Sequence, residues 1–163
     1  GVAKSQQLQI RVSPSQKAAL KRLARVTGLD VSTYVLTRTL PPAAIRLKEL
    51  LGLLANETTD RFALAELNDL LAGLSPAAFG EAVEGLDVRR LSPFLQNYVS
   101  AMVEHAAHQK SVVAPRWVRD VEPQDTPYFA VPFPNLRAHL LRAAPVAFKR
   151  RNLFIDATVG DRV

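Results

Sequence analysis

The sequence predicts a mainly α-helical protein that opens on one short strand. Three observations carry this. Residues 7–12, Gln-Leu-Gln-Ile-Arg-Val, alternate polar and apolar side chains, the period of a half-buried strand. From residue 13 to about residue 110, apolar residues recur at helical spacing, and Ser-Pro pairs at 13–14, 75–76 and 92–93 mark helix starts. From Ser111 onward the spacing fades, and Pro115, Pro123, Pro127, Pro132 and Pro134 punctuate a stretch rich in aromatics. The expected organisation is a flexible arm over 1–6, a strand-helix-helix module over 7–40, a small helical bundle or arm over 43–110, and an extended tail over 111–163.

The strand sets the functional expectation. Successive side chains of a strand face opposite sides, so Leu8, Ile10 and Val12 share an apolar face and are expected in a core. Gln7, Gln9 and Arg11 share the other face. Glutamine pairs bidentately with adenine and arginine with guanine, so these three side chains suit base edges in a major groove. Charge points the same way. Residues 1–40 hold seven basic residues (Lys4, Arg11, Lys17, Lys21, Arg22, Arg25 and Arg38) against the single acid Asp30. The other 14 basic and 14 acidic residues cancel, so the whole net charge of +6 lies beside the strand, the electrostatic footprint of a nucleic-acid-binding module.

After the strand, Ser13 caps a helix with Pro14 at its first position, running to about Thr27, and Gly28 ends it. Leu20, Leu23, Ala24 and Thr27 lie on one side. Asp30 caps a second helix from Val31 to about Leu40, with Val31, Tyr34 and Val35 inward, and Pro41-Pro42 stops it. One strand and two short helices, about 40 residues, bury too little surface to stand alone, and the strand leaves its edges unpaired. A second copy solves both problems, so an intertwined homodimer is expected.

The alternating strand, the Ser-Pro helix start, Gly28 and the Val31-Ser32-Thr33-Tyr34-Val35 opening resemble the ribbon-helix-helix family of Arc- and MetJ-type repressors and many bacterial antitoxins. The resemblance covers residues 7–40. It implies that two chains pair their strands into a ribbon that enters the major groove of double-stranded DNA. Gln7, Gln9 and Arg11 are then the base-contacting residues. Lys4 and the start of the second helix (Val31, Ser32, Thr33) meet phosphate, aided by free N–H groups and the helix dipole. Asp30 puts a carboxylate near that phosphate and must point back into its own cap.

Beyond Pro42, helices are expected over 43–55, 58–72, 76–84 and 93–110, with another at Leu136–Ala143. Aromatics at the density of the tail do not belong to a disordered spacer, so the tail either lies over its own domain or wraps a partner. Trp117, Tyr128, Phe129, Phe133, Phe148, Arg150, Arg151 and Phe154 are the candidate partner-binding residues, of the types enriched at interfaces. A ribbon-helix-helix module followed by such a tail resembles a type II antitoxin, which represses its operon and neutralises a cognate toxin. Segments of the tail from Trp117-Val118-Arg119 to Arg151-Asn152-Leu153-Phe154-Ile155-Asp156 resemble antitoxins encoded beside nucleotidyltransferase-like toxins. The tail is longer than usual for such proteins and is not acidic. This leaves open a plasmid mobilisation or partition accessory protein, or a helical interaction protein with a dimerising N-terminus.

No enzyme activity, cofactor or metal is expected. Cysteine is absent, and no phosphate-binding glycine loop or nucleophile elbow occurs. His105 and His108 could share a helix face, but only His139 remains as a third histidine, and two surface histidines near a helix end are expected instead. No apolar run approaches the ~20 residues of a membrane span and no secretory signal is visible, so a bacterial cytoplasmic protein is expected.

Overall fold

A computed structural model describes residues 6–39, 42–56, 61–130 and 134–156. The described residues are mainly helical, with nine helices and one two-stranded parallel sheet. Helix α1 spans Pro14–Thr27. Ser13 accepts a hydrogen bond from the Gln16 N–H while the Gln16 side chain accepts from the Ser13 N–H, a reciprocal capping box, and Pro14 occupies the first turn. Gly28 closes α1 at φ 71°, a left-handed conformation that an L side chain adopts only with strain. Helix α2 follows at Val31–Thr39. Ala24 of α1 and Tyr34 of α2 are the buried residues of the pair, while Val31 stays exposed.

Residues 6–12 join no strand among the described residues. Leu8, Ile10 and Val12, expected in a core, are 86 %, 61 % and 40 % exposed. The reason is physical: a strand's backbone groups and its apolar face need a neighbour, and the described residues offer none.

The core lies further along the chain. Helices α3 (Ala43–Asn56), α4 (Arg61–Gly73), α5 (Pro76–Glu84) and α6 (Pro93–Gln109) enclose it, close to the expected bounds. Leu47, Leu50 and Leu54 of α3 recur at the 3–4 spacing of one face and meet Leu67 and Leu71 of α4 and Phe79 of α5. Arg46 ties α3 to α4 through a two-pronged contact to Glu66 at 2.6 and 2.7 Å, and that guanidinium holds the Glu66 carboxyl below its usual range. Ser75 and Ser92 cap α5 and α6 by accepting from the Ala78 and Leu95 N–H groups, without the reciprocal bond made at α1. Helix α6 is the hub. Leu95, Val99, Ala101, Val103 and Ala106 bury residues around most of its circumference, the mark of a helix covered on several sides.

What covers α6 from outside is the tail. Helix α7 (Trp117–Asp120), strand β1 (Tyr128–Phe129), helix α8 (Pro134–Ala143), helix α9 (Val146–Lys149) and strand β2 (Leu153–Phe154) pack in sequence, and β1 pairs with β2 in parallel. Val118, Ala147, Phe148, Leu153 and Ile155 join the same core as α3–α6. Over its described residues the tail lies over its own domain, one of the two expected arrangements; it is less extended than expected, since α7 and α9 join the expected helix at α8. Three of its prolines stand at helix edges, while Pro123 and Pro127 lie in the irregular segment before β1. Pro115 precedes α7, Pro134 begins α8 and Pro145 precedes α9, positions where a missing N–H costs little.

Candidate nucleic-acid interface and the tail face

Gln7, Gln9 and Arg11 are exposed, as are Lys17, Lys21, Arg22 and Arg25 on α1. None of these cations forms an ion pair with the described residues. Lys4 lies outside the described residues. Val31 and Ser32 are exposed at the start of α2, where the first-turn N–H groups have no intrahelical acceptor, and Thr33 is half-buried. Asp30 turns back into its cap. One carboxylate oxygen accepts from the Thr33 N–H at 2.9 Å and the other from the Thr33 hydroxyl at 2.6 Å. The Thr33 hydroxyl thus already donates within the chain. The Val31 and Ser32 N–H groups and the Ser32 side chain form the accessible part of this helix start.

The candidate partner-binding residues divide into three groups. Phe148 and Arg151, expected at a partner face, are buried within the chain's own fold at 4 % and 3 % exposure. Trp117, Phe129 and Phe154 are half-buried. The Trp117 indole N–H donates to the Val83 carbonyl at 2.9 Å, Phe129 stacks on Phe154 with ring centres 4.8 Å apart, and the Arg137 guanidinium lies 5.0 Å over Phe129. Tyr128 and Arg150 remain at the surface. Tyr128 meets Phe94 edge-on at 4.9 Å, and Arg150 pairs with Glu104 at 2.8 Å. Phe133 lies outside the described residues.

Sequence reading missed a polar clasp beneath this surface. The Arg151 guanidinium donates to Asn97 Oδ1 on α6 at 3.2 Å, to the Val121 carbonyl at 3.0 Å and to the Val118 carbonyl at 2.6 Å. Burial pulls the Arg151 pKa below its ordinary value, because a desolvated charge is costly. Its neighbour Asn152 takes a positive φ of 56° and donates from its side chain to the Gln124 carbonyl at 2.7 Å. A signal was present in Asn97, a polar residue on the apolar α6 whose side-chain N–H donates to the Pro93 carbonyl, but its partner sits 54 residues away. His105 is likewise not a plain surface histidine. It is half-buried, its ring centre is 6.2 Å from Phe148, and burial lowers its pKa.

Among the described residues no group of three His, Cys, Asp or Glu side chains could hold a metal ion, and no helix is long and apolar enough to cross a membrane. A family model described as Antitoxin TacA 1-like matches residues 7–67, which run from the unpaired N-terminal segment through α1, α2 and α3 into α4. No curated protein and no solved structure matches the chain.

Proposed function

We propose that this chain, with its antitoxin-like segment over residues 7–67, is a homodimeric DNA-binding antitoxin of the bacterial cytoplasm that represses its own operon and neutralises a cognate toxin. One observation carries the reading. The segment that alternates Gln7, Gln9 and Arg11 with Leu8, Ile10 and Val12 is exposed on both faces and unpaired among the described residues, immediately before a tightly capped α1. Pairing with a second copy covers the apolar face and leaves two sets of Gln-Gln-Arg side chains pointing outward. Each good bidentate contact from such a set contributes about 1–3 kcal/mol of base discrimination. The start of α2 supplies phosphate contacts through the Val31 and Ser32 N–H groups and the Thr33 turn. Because the tail is folded on α6, the toxin meets a preformed surface of the helical region rather than a peptide that wraps it.

The test is fluorescence anisotropy on the DNA upstream of the protein's own gene, beside a scrambled duplex and the Arg11→Ala variant, at low and near-physiological salt. The expected result is a preference for the natural DNA at both salts that Arg11→Ala erases while the dimer persists. Equal binding to both duplexes that collapses as salt rises would leave only phosphate attraction and overturn the reading.

A further inference from the structure

An open groove of about 580 Å³ runs between the start of α6 and the 122–128 segment. Phe94 and Asn97 form its helix side, and Glu122, Asp125 and Tyr128 stand on the other. We propose that this groove receives an arginine side chain carried on an extended segment of the protein partner. The proposal rests on the antitoxin reading for the identity of that partner. Three features argue for this occupant.

The first is charge. Among the described residues Glu122 and Asp125 are the only charged ones lining the groove, both are exposed acids, and neither forms an ion pair there. The second is the aromatic wall. Tyr128 is 41 % exposed, its ring meets Phe94 in an edge arrangement at 4.9 Å, and it lines the same groove as the two carboxylates. A guanidinium is the cation that uses both at once, stacking on a ring face while its fork donates to a carboxylate. The third is that the groove is already built. Gln124 donates to the Thr126 carbonyl at 3.0 Å, Asn152 donates to the Gln124 carbonyl at 2.7 Å, Arg151 holds Val121, and the Tyr128 N–H donates to Asn152 at 2.8 Å. Pro123 and Pro127 stiffen the same loop. A loop held at this many points needs little ordering on binding, so the contact is not lost to entropy.

The experiment has two arms, both on the full chain. In the first, the ¹⁵N-labelled protein is titrated with the capped pentapeptide Gly-Ala-Arg-Ala-Gly, with Gly-Ala-Gln-Ala-Gly as control. Saturable shifts at the amides of Phe94 and of residues 124–128 are expected with the arginine peptide alone, and are expected to vanish in the Glu122→Gln/Asp125→Asn double variant. In the second, calorimetry follows binding to the product of the gene adjacent to its own. The double variant and Tyr128→Ala are each expected to weaken binding about tenfold or more with DNA affinity unchanged, and the double variant to keep the thermal midpoint of wild type. Equal binding by wild type and double variant would overturn the groove assignment and leave the antitoxin reading standing. Unchanged binding with a lowered midpoint would overturn it too, and would assign the two carboxylates to stabilising the α6 helix start. If the wild-type chain does not bind the adjacent product, the antitoxin reading falls, and the peptide arm decides the groove by itself.

Discussion

Asp30 shows how one side chain serves two opposed demands. It caps α2 through two hydrogen bonds to Thr33, yet it places a carboxylate at the helix end where the proposed reading needs an anion. Asparagine caps a helix about as well as aspartate and carries no charge. Asp30→Asn is therefore expected to keep α2 intact and to tighten DNA binding about threefold at low salt, an effect that salt diminishes. Asp30→Ala instead loses the cap, at a cost of about 1 kcal/mol, and is expected to weaken DNA binding. Circular dichroism reads the first quantity and anisotropy the second. Unchanged affinity in the asparagine variant would place the phosphate elsewhere.

At the scale of elements, the tail and α6 depend on one another through Arg151. Three acceptors, Asn97 Oδ1 and the Val118 and Val121 carbonyls, converge on one buried guanidinium, so its removal strands all of them. Arg151→Ala is expected to destabilise the helical region by about 3 kcal/mol in urea denaturation. The loss should concentrate in residues 118–128, whose amides should exchange with solvent faster than those of α3 and α4. Arg151→Lys is expected to recover only part of the stability, because a single ammonium cannot span acceptors arranged for a planar fork. Loss spread evenly over α3–α6 would mean that the clasp is no more than one core contact among many.

Across the whole molecule, the two ends of the chain answer to different neighbours. The main core draws no residue from α1 or α2, and it begins at Leu47. The N-terminal module keeps Leu8, Ile10, Leu23, Val26 and Leu36 exposed, an apolar surface that a second copy is expected to cover. Ile10→Asp places a charge in the centre of that surface. The variant is expected to sediment as a monomer and to lose sequence-specific DNA binding, while the core melts within about 2 °C of wild type, since no core contact is touched. A large drop in the core's midpoint would show instead that the dimer stabilises the helical region.

What the sequence determined by itself was everything that rests on neighbours a few residues apart. Ser13-Pro14, Ser75-Pro76 and Ser92-Pro93 placed three helix starts to the residue, and Gly28 placed the end of α1. The cap of Asp30 on Thr33 was legible for the same reason. Only the tertiary structure decided the fate of the tail and of the strand. Tyr128 pairs with Leu153, and Asn97 meets Arg151, across distances in sequence that no local period records. Of the prolines that read as extended chain, Pro115 and Pro134 edge short helices, while Pro123 and Pro127 lie in the loop between α7 and β1. Residues 7–12 show the limit from the other side: their pattern is that of a strand, but a strand exists only where another backbone accepts its hydrogen bonds.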